Sequence, residues 1–199
     1  RLHPMAKIET AKRVEERSVE SSASAVEWGA IFAGGLAAIG ITAILFTLGP
    51  GLGLTTVSPW SLRNPSPTTF GTAAAIWMIV TQWLASAFGG YLTGRLRTKW
   101  VGIRTEEVLF RDTAHGVLAW ALGTVIMAAL VTLGSAATAG VVAAAADAAP
   151  STAPATAEAA EQARKMAIAF SLATSLSLLI GAFVAAAAGA LGGFHRDEA

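Results

Sequence analysis

The chain has no cysteine, and only 14% of its 199 residues are charged. Without cysteine it can build no disulfide, thiolate nucleophile, zinc–sulfur site or iron–sulfur site from its own side chains. A soluble domain averages about 25% charged residues, so this chain has too few to cover a water-facing surface. A net charge of +1 leaves no electrostatic footprint for nucleic acid. Its histidines, His3, His115 and His195, lie far apart and lack metal-ligand spacing. No nucleophile elbow, phosphate loop, HExxH or dinucleotide fingerprint occurs. No metal, no cofactor and no enzymatic activity are therefore expected.

What is present is apolar length. Four stretches, at about Trp28–Leu54, 72–94, 114–146 and 166–194, carry no charge near their middles. Each exceeds the roughly 20 residues needed to cross a hydrocarbon core of about 30 Å. A spanning backbone must satisfy its own hydrogen bonds, which makes each span a helix. The expectation is an all-α integral membrane four-helix bundle over residues 27–199, preceded by a charged tail over 1–26. Met5 reads as the natural start, with residues 1–4 as upstream sequence. The first apolar stretch begins too late and runs too long for a signal peptide.

Basic residues set the expected orientation. Arg1, Lys7, Lys12, Arg13 and Arg17 precede the first span. Arg95, Arg97, Lys99, Arg104 and Arg111 lie between the second and third spans, whereas only Arg63 lies between the first and second. Arg164 and Lys165 flank the fourth span. Basic residues favour the cytoplasmic side, so both termini and the middle loop are expected there. The middle loop mixes Trp100, Ile103, Leu109 and Phe110 with charges, the pattern of an interfacial segment. Arg95, Arg97 and Lys99 would face lipid headgroups there, and a lipid-binding role is one reading. Glu106 and Glu107 suit the first turn of the third helix. Pro50, with its flanking glycines, predicts a kink or the end of the first helix.

Small residues recur every fourth position. The second span has Ser86, Gly90 and Gly94, and the fourth has Gly181, Ala185, Gly189 and Gly193. The first has Gly29 and Ala33, and a second series through Ala30, Gly34 and Ala38. Helices in lipid associate through close backbone approach, which such series permit. The spacing alone leaves two readings open, packing within this chain or packing against another subunit. Short similarities between the first and second halves, such as Phe88-Gly89-Gly90-Tyr91 against Leu191-Gly192-Gly193-Phe194, raise the reading of a duplicated helical hairpin.

Polar residues inside spans are the default functional candidates. Gln82 would make an interhelical hydrogen bond or line a polar pathway, the latter with Ser171, Thr174 and Ser175 on one face of the fourth span. Glu27 and His115 start the first and third spans and would pair across the bundle, while Asp147 reads as a wetted helix-end charge. Within the spans, no buried pair of opposite charges of the kind found in pumps is expected.

Several runs resemble a group of small bacterial membrane proteins loosely labelled PhnA-like. They are Glu27-Trp28-Gly29-Ala30-Ile31-Phe32-Ala33-Gly34, Gly49-Pro50-Gly51-Leu52-Gly53-Leu54, Ala75-Ile76-Trp77, Gly89-Gly90-Tyr91-Leu92-Thr93-Gly94-Arg95 and His115-Gly116-Val117-Leu118-Ala119-Trp120-Ala121. The resemblance covers the first three spans and implies a bacterial inner membrane. It brings no catalytic residues. The expected function is that of a non-catalytic membrane protein acting through helix packing, as an accessory subunit of a larger complex or a self-associating scaffold. The expected partners are membrane lipids and either another membrane subunit or copies of itself, with no nucleic acid. The alternative is a small oligomeric channel or transporter with a weakly polar pathway.

Overall fold

The computed structural model of the chain describes residues 25–54, 66–99, 104–147 and 157–198. The expectations for residues 1–24, for the loops at 55–65 and 148–156 and for residues 100–103 lie outside these. The described residues form four helices: α1 (Trp28–Leu54), α2 (Pro67–Leu96), α3 (Thr105–Asp147) and α4 (Ala157–Glu198). All four are long and apolar enough to cross a membrane.

Local chemistry accounts for several of the ends. Ser66 caps α2, its hydroxyl accepting from the Thr69 backbone N–H at 3.1 Å, with Pro67 at the first turn where its missing N–H costs nothing. Glu106 and Glu107 occupy the first turn of α3, as expected, where the helix dipole favours negative charge. His195 and Arg196 occupy the last turn of α4, where it favours positive charge. Helix α1 does not stop at Pro50 but continues to Leu54. Proline there lacks the N–H that would reach the Phe46 carbonyl, and the helix ends within four residues of it.

The helices outrun the apolar stretches. Helices α3 and α4 hold 43 and 42 residues, each about 60 Å at about 1.5 Å per residue. That is about twice a hydrocarbon core. Alanine supplies the extension: the run 143–146 closes α3 ahead of Asp147, and Ala157, Ala159 and Ala160 open α4.

Glycine contacts set the register. A Cβ on Gly89 of α2 would lie 2.8 Å from the Ala38 methyl of α1, and Gly53 lies over the Phe70 ring, so α1 and α2 run antiparallel. Gly189 of α4 meets the Asp112 carbonyl and Gly116 of α3, while Gly181 meets Trp120, so α3 and α4 are antiparallel too. Helices α2 and α4 run parallel, with Gly90 on Ala185 and Gly94 on Gly189. Among the described residues α1 and α4 do not touch.

The core is made of small side chains. Ala30, Ala85, Ala119 and Ala185 are buried with Ile31. The small-residue series of α2 and α4 mesh with each other inside this chain, and Gly116 of α3 closes on the other flank of α4. At Gly90, Gly94 and Gly116 a Cβ would collide with the backbone of α4, so only glycine admits this approach. Gly34 joins through Gly89 and Thr93 of α2, and Ala33 is half-buried. Gly29, expected in the packing, is exposed with no atom within 4 Å of a Cβ placed there. The buried face of α1 runs instead through Ala30, Ile31, Gly34 and Gly35.

Candidate functional site

The densest polar constellation lies at the end of the bundle where α1 begins and α2 and α4 finish, here the near end. Its centre is Asp112 of α3. The Asp112 carboxylate accepts from Arg97 Nε at 2.7 Å and also from Arg97 Nη2. Arg196 of α4 approaches the same oxygen at 3.5 Å. Arg97 and Asp112 are 1% and 2% exposed, so this is a buried ion pair with a second arginine at its edge.

Arginine suits the position because its guanidinium presents two parallel N–H groups to one carboxylate. Burial pulls the Arg97 guanidinium below its ordinary value, while the hydrogen bond and charge of Asp112 oppose that pull. Arginine stays protonated regardless. Arg196 also donates to the Gly94 carbonyl at 3.1 Å and the Arg97 carbonyl at 3.5 Å. Those carbonyls belong to the end of α2, where the intrahelical partners run out. Asp197 takes the remaining Arg196 donors at 3.0 Å. Gly193 makes room for the whole arrangement, since a Cβ there would overlap the Asp112 carboxylate.

A second set ties α1 to this end. The Glu27 backbone N–H donates to His115 Nε2 at 2.9 Å, and the other ring nitrogen lies 2.6 Å from the Arg111 carbonyl. The Glu27 carboxylate accepts from both the backbone N–H and the hydroxyl of Thr98, at 2.8 and 3.0 Å. One residue at the head of α1 thus holds α2 with its side chain and α3 with its backbone. Tyr91 and His195 meet at 3.3 Å on the α2–α4 flank.

The structure corrects several expectations. Arg97 does not face lipid headgroups: it turns inward to Asp112, because a carboxylate buried at that depth requires a paired cation. The pair lies just outside the stretches 72–94 and 114–146, within which no buried pair of opposite charges is expected. Arg95 is half-buried, and Lys99 is exposed as the loop reading requires. Glu27 and His115 do meet, though through the Glu27 backbone rather than its carboxylate. Asp147 is the last residue of α3, and its side chain lies outside the described set.

Asp112 drew no notice in the sequence, yet a signal for it is present. Asp112, His115, Gly116, Ala119 and Gly123 follow the three–four spacing of one helix face, and all are buried. Arg97 extends the series Ser86, Gly90, Gly94 by one turn, and Arg196 extends Gly189, Gly193 likewise. Each small-residue series runs directly into one member of the ion cluster. A charge on the rung after a glycine series points into the bundle.

Deeper in the bundle, Gln82 lines a cavity of about 290 Å³ with Thr42, Ser86, Trp120, Thr124 and Met127. Gln82 Nε2, Ser86 Oγ and Trp120 Nε1 all crowd the Gly181 α-carbon, each 3.0–3.1 Å from where a Cβ would stand. Ser86 is satisfied by the Gln82 carbonyl at 2.7 Å, whereas Trp120 Nε1 and Thr81 Oγ1 are buried without a hydrogen-bond partner among the described residues. Ser171, Thr174 and Ser175 do not join Gln82. All three are exposed on the far half of α4, away from the cavity. No group of three or more potential metal ligands occurs among the described residues. The near-end cluster can therefore fix helices. Compared with known proteins, the chain matches no family, no curated protein and no solved structure.

Proposed function

We propose that the protein is a non-catalytic membrane protein that works through helix packing, as an accessory subunit of a larger membrane complex or a self-associating scaffold in a bacterial inner membrane, with both termini cytoplasmic. The observation that carries this reading is the contrast along α4. Its near half is wedged between α2 and α3 by Gly181, Ala185, Gly189 and Gly193. Its far half is exposed wherever a side chain is described from 157 to 176, and that half includes Ser171, Thr174 and Ser175.

Apolar side chains exposed in a bilayer need no partner, because lipid is as apolar as they are. Hydroxyls do better against another helix, where they can bond across the contact. The meshed glycine series are already used inside the chain. The surface for a partner is thus the far half of α4 together with the exposed stretch of α3 at 128–136.

The test is the native mass and composition of the protein extracted gently from its own membrane. A stoichiometric second subunit or a defined homo-oligomer supports the reading. A monomer that stays monomeric in nanodiscs overturns it. The cavity beside Gln82 favours a second reading, a small channel or transporter, since it places an amide inside the bundle. Flux through proteoliposomes, lost in Gln82→Leu, would support that reading. A leak unchanged by the protein counts against it.

A further inference from the structure

We propose that His115 is a proton-binding site that governs how the head of α1 is held. The site is defined by three contacts. His115 Nε2 faces a backbone N–H, that of Glu27, which can only donate. Its Nδ1 faces a backbone carbonyl, that of Arg111, which can only accept. Both contacts are satisfied by one form of the ring: neutral, with the proton on Nδ1. The third contact is the Glu27 carboxylate on Thr98, which shares its residue with the first. The ring is 1% exposed, so no solvent stands ready to replace either of its partners.

Protonation turns Nε2 into a donor and sets it against the Glu27 N–H. Two donors facing each other at 2.9 Å repel, and this tie between α1 and α3 is lost. The same residue offers an alternative. The Glu27 carboxylate accepts charge-assisted bonds and is the natural partner of an imidazolium, but it now holds the Thr98 N–H and hydroxyl. Protonated His115 keeps Glu27 only by drawing its carboxylate off Thr98. The head of α1 is tied to α2 and α3 when the ring is neutral. When the ring is charged the backbone tie to α3 is lost, and the head is held by α2 alone through Thr98 unless the carboxylate leaves it.

The surrounding charges come from every helix at this end. Glu27 precedes α1, and Arg97 and Lys99 follow α2. Arg111 and Asp112 lie on α3, with Arg111 paired to Glu107. His195, Arg196 and Asp197 lie on α4. Asp112 is already engaged by Arg97 and Arg196. The Glu27 carboxylate is therefore the acid the imidazolium would recruit. Ala25 and Val26, which lead into α1, would follow Glu27.

The absence of cysteine makes a direct test simple. Ala25→Cys and Phe110→Cys, at two exposed positions on either side of the α1–α3 contact, carry spin labels on the full chain in nanodiscs. Distances are read at about pH 8 and about pH 5. The expected result is a narrow distribution at high pH and a longer, broader one at low pH. His115→Gln places an amide oxygen near the Nε2 position and does not titrate, so it should stay narrow at both. His115→Leu cannot accept and should be broad at both. Glu27→Gln still accepts from Thr98 and does not titrate, so its pH response should persist, as should that of His195→Gln. An unchanged distribution in the wild type overturns the proposal. A response that survives in His115→Gln, or vanishes in Glu27→Gln or His195→Gln, overturns it as well.

Discussion

The two ends of this bundle use opposite means to hold helices. At the near end, backbones touch through glycine, and a buried ion pair, a histidine and an N-terminal carboxylate tie all four helices together. At the far end, the described side chains of α3 at 128–136 and of α4 at 157–176 are exposed, and the helices there are held by their own backbone bonds and by pairs within one helix such as Glu161–Arg164. The near end is fixed by contacts between residues distant in sequence, the far halves of α3 and α4 by contacts between neighbours. Small side chains permit the first kind, because they let polar groups on different helices come within bonding distance. Alanine-rich helix without facing glycines supports only the second.

The sharpest way to break the contrast is to remove the central acid. Asp112→Ala leaves Arg97 buried without its partner and should destabilise the bundle by about 3–5 kcal/mol, read from helicity during denaturing-detergent titration. Glu161→Gln at the exposed far-end pair should leave the same curve unchanged. If both variants behave alike, the near-end cluster is not what holds the bundle.

Next in size is backbone contact. Gly94→Ala forces a methyl into the Gly189 backbone of α4 and should cost about 1–3 kcal/mol by overpacking. Trp77→Phe tests the middle of the α1–α2 pair, where the indole N–H donates to the Leu45 carbonyl at 2.9 Å. Loss of that bond should cost about 1 kcal/mol. The smallest effect is expected at Gly134, where a Cβ meets nothing within 4 Å. Gly134→Ala should be neutral or stabilise α3 by up to about 1 kcal/mol, seen as a slight rise in melting temperature. A loss there as large as at Gly94 would show that the far end is packed after all.

The four helices were legible because an apolar run of that length has one solution in a bilayer, and because charged residues mark its ends. The small-residue series were legible too, but not their partners. Spacing by four places Gly90 and Gly94 on a face and says nothing of what that face meets. Gly29 shows the limit: it shares the spacing of Ala33 and lies outside the packed face, since a rotation of one residue moves a helix side chain by about 100°. Ser171, Thr174 and Ser175 share a face with one another, and that face looks away from Gln82.

The ion cluster was the least legible feature. A charge one turn beyond an apolar run reads as interfacial when taken alone, and Arg97, Asp112 and Arg196 each sit at such a position on a different helix. Only their shared faces with Gly94, Gly116 and Gly193 betray them, and that requires all three helices at once.

The sequence by itself determined the helices, their approximate ends and the faces able to approach closely, because those follow from hydropathy and local spacing along one chain. Only the tertiary structure decided that the α2 and α4 series face each other, that Asp112 gathers two arginines and that Glu27 meets His115 through its backbone. Those depend on the rotation and depth of one helix against another, which no single helix encodes.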